Sequence, residues 1–219
     1  MTTLTIDLTH NLEPTTPVYP GYPPVELQVL ESTRYTRPDG QRTLNSSRVS
    51  IGNHCGTHMD APFHFFEQGR TIDQIDLDQC AGQALLIRLS DIAENGKIDP
   101  HHLSSHQTRL RSLRKVIFET GWSKRWGQSN YFTHHPVIAP EAAEFLIECG
   151  VHLVGVDVPS VDRPPFPVHL ALLAKGILIV ENLVNLSAIK SDTFMFVAVP
   201  LKITGRDGSP VRAIALEVS

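Results

Sequence analysis

The stretch His54-Cys-Gly-Thr-His-Met-Asp-Ala-Pro-Phe-His64 restricts the folding options of this chain more than any other. Three imidazoles and a carboxylate (His54, His58, Asp60 and His64) fall within eleven positions, all of them at even numbers. Side chains of an extended segment alternate with period 2, so all four can project to one side. A helix would rotate Asp60 and His64 away from His54 and His58, and Gly56 and Pro62 both oppose one. Four fully extended residues cover roughly 13 Å, long for two ligands on one ion. The chain is therefore expected to bend, and Gly56 is the residue that permits it. Burying four acid/base groups together without an ion would be costly. Imidazole nitrogen and carboxylate oxygen suit Zn²⁺, Mn²⁺ or Fe²⁺, so the segment reads as a metal site. Cys55 and Met59 have the opposite parity and are expected in apolar packing.

The rest of the chain sets the frame for that site. At 219 residues it can bury a sizeable core as one domain, taken as residues 1–219. Hydrophobic residues make up 41% and charged residues 19%, and the net charge of −4 argues against a general nucleic-acid binder. The basic stretch from Arg109 to Arg125 reads as a solvated face around one buried strand. Cys55, Cys80 and Cys149 are scattered and odd in number, so no disulfide framework is implied. No apolar run approaches the ~20 residues needed to span a bilayer, and the start of the chain lacks a basic segment followed by an apolar one. A cytoplasmic protein without a membrane partner is the expectation.

Strands are expected at 3–9, 25–32, 44–52, 83–89, 116–119, 153–158, 177–180, 194–201 and 211–218. Pro38-Asp-Gly marks a loop, and Asp207-Gly208 a turn into the last strand. Helices are expected near 100–106, over 140–149 with Pro140 at its start and Gly150 as its stop, and over 168–175 closed by Gly176. Many strands and few helices indicate one α/β domain with a mixed sheet. The Pro/Tyr/Gly-rich stretch 14–24 is either a stiff connector or a lid that presents aromatics to a pocket.

Spacing alone leaves His169 and Glu181 open. His169 is a ligand or an exposed helix residue. Glu181, directly after Ile-Leu-Ile-Val, is a ligand at a strand end or the first turn residue beyond it. Tyr19, Phe63, Phe65 and Trp122 can form an aromatic wall for a flat substrate, with core packing the alternative, above all for Phe63 and Phe65. His10 is a possible pocket residue. Asp157, Ser160 and Asp162 are expected to serve a turn or to support ligands from behind. His101, His102, His106, His134, His135 and His152 are expected at the surface.

The eleven-residue segment, of the pattern His-x-Gly-Thr-His-x-Asp-x-Pro-x-His, resembles the signature of the cyclase-like metal-dependent hydrolases, which include bacterial kynurenine formamidases and isatin hydrolases. The resemblance also takes in Ile6-Asp-Leu-Thr-His10, Pro17-Val-Tyr-Pro-Gly21, Thr120-Gly-Trp122, Gly155-Val-Asp-Val-Pro-Ser-Val-Asp162, His169 with Glu181, and Asp207-Gly-Ser-Pro-Val-Arg212. It implies a swivelling β/β/α domain and a homodimer or higher homo-oligomer. It implies that His54, His58 and Asp60 hold a first metal ion and that Asp60 bridges to a second held by His169 and Glu181. His64 is then the general acid/base. One or two Zn²⁺ ions, with Mn²⁺ as the alternative, would activate water against a small-molecule amide, foremost an arylformamide. The formamidases carry a tryptophan where this chain has Tyr19, which keeps an isatin-type or lactone ring-opening hydrolase as a rival. A third reading, from another class, is a non-catalytic protein whose ion only stabilises the fold. The unligated His64 argues against it, because structural sites tend to be closed by four protein ligands.

Overall fold

The computed structural model describes residues 3–37, 39–89 and 91–218; Pro38 of the expected loop therefore lies outside the described residues. In chain order the elements are β1 (Thr3–Asp7), β2 (Glu26–Arg37), β3 (Gly40–Ser50), β4 (His58–Asp60), α1 (Leu77–Cys80), β5 (Ala81–Arg88), β6 (Lys97–Ile98), α2 (Gln107–Leu113) and β7 (Lys115–Glu119). There follow β8 (Val137–Ile138), α3 (Pro140–Glu148), β9 (Leu153–Val156), α4 (Pro167–Ala174), β10 (Leu178–Glu181), β11 (Thr193–Val197), β12 (Gly208–Pro210) and β13 (Ile214–Val218). Nine strands form one mixed sheet in the order β1-β13-β11-β5-β7-β9-β10-β4-β12. Its centre, β5-β7-β9-β10, is parallel, and both flanks are antiparallel. This is the strand-rich α/β architecture that the sequence implies.

The central strands are short, apolar and β-branched because both their faces are buried. Alternation sorts their side chains. Leu85, Ile87, Val116, Phe118, Val154, Val156 and Ile179 pack with Leu110 of α2, Ala142 and Leu146 of α3, and Val168 and Leu172 of α4. Ala84, Leu86, Ile117, Leu153, Leu178 and Val180 face the opposite way, into a second cluster with Met59, Phe194 and Phe196. α3 begins at Pro140 and ends before Gly150, whose φ of +71° closes it, and α4 likewise stops before Gly176 at +70°.

Some expectations are corrected. The helix placed near 100–106 is two 3₁₀ turns that lead into α2, seven residues further along than expected, because Asp99 and Pro100 favour a capped turn before the helix proper. The Asp207-Gly208 turn does not lead straight into the last strand; it starts β12, which pairs with β4. β2 and β3 run longer than expected and form a separate two-stranded hairpin. Among the described residues no helix is long and apolar enough to cross a membrane.

His135 is buried, not at the surface. Burial and the neighbouring Arg163 cation push its pKa down to about 4. Unfolding restores an ordinary imidazole that binds a proton more readily. The His135 contribution to stability is thus complete above pH 6.5 and is lost as pH falls through about 4. Urea midpoints of metal-free wild type and His135→Asn, compared between pH 7 and 4, should converge toward the acid end. A second test concerns Gly155 on β9, where an added Cβ would lie 2.4 Å from Ile117 Cδ1 and 3.0 Å from Leu183 Cδ1. Gly155→Ala should cost about 1–3 kcal/mol by overpacking, read as a lower urea midpoint.

Candidate metal centre

The expected bend is at Gly56, whose φ is +62°. The common parity of the four motif residues holds only locally. His58 and Asp60 lie on β4 itself, whereas His54 precedes the bend and His64 ends a 3₁₀ turn started by Pro62. Bend and turn together fold the segment back, so that four residues of one short stretch line one cavity. Met59, of opposite parity, is fully buried in the apolar cluster behind.

Strand pairing brings in the distant residues. β4 runs antiparallel to β10 with His58 opposite Glu181 and Asp60 opposite Ile179. α4, which runs back toward the start of β10, carries His169 to the same point. His58 Nε2 lies 3.4 Å from Asp60 Oδ1 and 3.4 Å from Glu181 Oε2. His169 Nε2 lies 3.3 Å from Glu181 Oε1 and 3.6 Å from Asp60 Oδ2. His54 Nδ1 is 2.6 Å from Asp60 Oδ1. His58, Asp60, His169 and Glu181 are all at most 4% exposed.

Each of these imidazoles is anchored through its other nitrogen. Gly56 O accepts from His58 Nδ1 at 2.9 Å, Asp162 Oδ1 pairs with His169 Nδ1 at 2.6 Å, and Asp207 Oδ2 pairs with His54 Nε2 at 2.6 Å. Asn182 Nδ2 donates to the same Gly56 carbonyl, and Tyr131 Oη donates to Asn182 Oδ1. Imidazoles that ligate metals are characteristically held in this way, one nitrogen fixed by an acceptor and the other turned to the ion.

The electrostatics follow from burial. Desolvation opposes charge on His58, yet Asp60 and Glu181 hold its pKa up at about 10. His54 and His169 are raised too, against burial, by the carboxylates around them. Asp60 and Glu181 are held below their ordinary values despite burial, by the imidazoles they face. Two ionised carboxylates at the end of an apolar sheet are thus balanced by protons on the ring nitrogens. A divalent ion can supply that charge through the same nitrogens, with release of the protons. Ligands of a tetrahedral ion with bonds of about 2.0–2.2 Å lie roughly 3.3–3.6 Å apart, the range of the His58 and His169 contacts above. The donor set fits a divalent metal ion.

The cavity holds about 170 Å³, room for a small ligand and not merely a single water. Tyr19 and Phe65 both line it; Phe65 also packs against the core, the use expected above all for it, with its ring stacked on His169 at 5.1 Å. Trp122 does not. The Thr120-Gly121 turn, whose two amides donate to Asp157, directs Trp122 into the core, where its Nε1 donates to Tyr131 O. His10 also stays out of the lining and stacks on Trp126 at 3.8 Å. Tyr22, Phe132, Phe166, Asn182 and Asp207 were not foreseen at the site. Tyr22 shares its loop with Tyr19, and Asn182 follows Glu181, so proximity in sequence was a usable signal for those two. Phe132 and Phe166 offered none, and Asp207 stood in the Asp207–Arg212 part of the family resemblance without a role of its own.

Buried nitrogen and oxygen donors at a strand end, opening into an aromatic-lined cavity, define a divalent-metal site of hydrolytic type. The chain belongs to the cyclase family: the family model described as putative cyclase matches residues 6–163. It is 36% identical over 214 residues to the kynurenine formamidase of Salinibacter ruber, covering 95% of each chain. Among solved structures it is similar to isatin hydrolase A from Labrenzia aggregata, with a TM-score of 0.85, 25% identity, and 99% and 94% of the two chains covered. It is also similar to a potential metal-dependent hydrolase with cyclase activity, with a TM-score of 0.78, 25% identity and all of both chains covered.

The anchoring of His169 is open to test. Asp162→Asn should lower metal affinity roughly 10–100-fold, measured by competition with a chromophoric chelator. Unchanged affinity would separate Asp162 from the metal site.

Proposed function

We propose that the protein is a metal-dependent hydrolase of small amides, an arylformamidase that converts N-formylkynurenine and water to kynurenine and formate. The observation that carries this reading is the pairing of β4 with β10, which sets His58 and Asp60 against Glu181, with His169 of α4 beside them and His54 and His64 grouped on the other side of Asp60. Kynurenine formamidase relatives that match along nearly the whole chain support the substrate.

His54, His58, Asp60, His169 and Glu181 would hold the metal. Asp60 presents Oδ1 to His54 and His58 and Oδ2 to His169, an arrangement that supports a bridging role and two ions. Zn²⁺ is the reading that suits these nitrogen and oxygen donors, with Mn²⁺ second. A bound divalent ion supplies Lewis acidity and lowers the pKa of water from about 15.7 toward 7. Burial keeps the His64 pKa below its usual value, so the ring is neutral near pH 7 and can accept a proton. The water oxygen bonds to the formyl carbon while His64 takes its proton. As the carbon–nitrogen bond breaks, His64 returns that proton to the aniline nitrogen, and kynurenine and formate leave. Tyr19, Tyr22, Phe65, Phe132 and Phe166 supply flat apolar surface for the arene.

The free, buried cysteines Cys55, Cys80 and Cys149 support a cytoplasmic setting. Leu27, Val29, Leu30, Leu44 and Val49 are exposed on the β2–β3 hairpin, which supports a homodimer or higher homo-oligomer.

Metal-replete protein should release kynurenine from N-formylkynurenine. Chelation should abolish the activity and Zn²⁺ restore it. His64→Asn should retain metal and lose about 10²–10⁴-fold in kcat. Likeness to isatin hydrolase A favours one alternative: ring opening of isatin by the metal-replete protein, without turnover of the formamide, would overturn the arylformamidase reading.

A further inference from the structure

The proton-transfer role of His64 leaves one question open, namely which nitrogen carries the hydrogen. Among the described residues a single carboxylate lies within 4 Å of its ring nitrogens: Asp207, whose Oδ2 is 3.5 Å from His64 Nδ1, with Asp60 next, within 4.8 Å. The contact is an ion pair without hydrogen-bond geometry in this structure, and catalytic contacts that are long without substrate tighten into hydrogen bonds once it binds. Asp207 is itself held firmly. Its backbone carbonyl accepts from Ala61 N at 2.9 Å, the next residue, Gly208, pairs with Asp60, and Asn53 Nδ2 donates to Oδ1 at 2.7 Å. With Oδ1 occupied, Oδ2 is aimed at the space between His54 and His64. One carboxylate oxygen has lone pairs enough for both rings. The His64 ring is also confined, tilted 31° to His54 at 3.9 Å and edge-on to Phe65 at 4.8 Å. Gly208 makes this packing possible, since a Cβ there would lie 2.8 Å from His54 Cε1.

We propose that Asp207 is the positioning carboxylate of His64. It accepts from Nδ1–H and so keeps the Nε2 lone pair turned toward the cavity. The assignment rests on the reading of His64 as the acid/base group. Asp207 touches neither substrate nor reacting atoms; it acts through the imidazole, as a carboxylate does when it fixes the tautomer of a catalytic histidine. The same oxygen on His54 makes Asp207 a link between a metal ligand and the proton carrier.

The test is Asp207→Asn in the metal-replete protein, with N-formylkynurenine as substrate. The amide keeps the shape and can present a donor where the carboxylate accepted. Because Asp207 also anchors His54, metal affinity should fall as for Asp162→Asn; assayed at saturating metal, KM should stay within a few-fold and kcat fall about 10²–10⁴-fold. The ¹⁵N spectrum of His64 should lose its Nδ1–H tautomer. In the His64→Asn background the same substitution should cost no further activity. Activity restored to the wild-type level by saturating metal would assign Asp207 to His54 alone, and an additive loss or an unchanged tautomer would also overturn the proposal. Should Asp207→Asn not fold, Asn53→Ala frees Oδ1 alone. A smaller fall in kcat with the same tautomer change is then expected, and no change in either overturns it. Full activity of His64→Asn would sink the acid/base reading itself, while the His64 tautomer still reports on Asp207.

Discussion

The site depends on one pairing: three residues of β4 laid antiparallel against the end of β10. That register sets His58 opposite Glu181 and turns Met59 into the apolar cluster behind. A slip by a single residue would exchange the faces, with a methionine in the polar centre and two charged groups in the core. Burying Asp60 and Glu181 is tolerable only because the pairing also delivers the imidazoles that neutralise them. The apolar strands around it supply the driving force, and the polar cluster restricts the strand to one alignment.

Three imidazoles are oriented there by three unlike acceptors: a backbone carbonyl for His58, a buried carboxylate for His169 and a partly exposed one for His54. The backbone acceptor is the residue whose left-handed conformation makes the bend, so the turn and the ring orientation have one origin in Gly56. Asp162 goes further than its ring contact. It also accepts from the amides of Val168 and His169, capping the first turn of α4 while it aims the histidine.

Much of this was legible in the sequence. The motif of 54–64, with its bend at Gly56, could be read from residue type and backbone chemistry. So could the central strands, whose apolar β-branched runs have few other uses, and the two helices closed by Gly150 and Gly176. His169 and Glu181 were visible as candidates but could not be joined to the motif by spacing, because a strand register is a long-range property. Trp122 misled because an aromatic after a strand has two destinations, and the turn held by Asp157 selects the core. Asp207 resembled an ordinary Asp-Gly turn. Nothing local tells a turn residue from one whose side chain meets a histidine more than a hundred positions away. His135 shows the converse, an imidazole without a sequence partner that is nonetheless packed inside.

The donors come from separate stretches of chain, and this orders events during synthesis. The segment from His54 to His64 emerges early with only part of the ligand set, and an unfolded chain offers an ion no fixed geometry. Glu181 and His169 meet it only after β10 has docked in the sheet. If these residues hold the ion as proposed, secure loading would belong to the last stage of folding, and the ion would act as a clasp between the early and late parts of the chain. Without the ion, the same centre would rely on protonated imidazoles facing Asp60 and Glu181, a balance that shifts with pH.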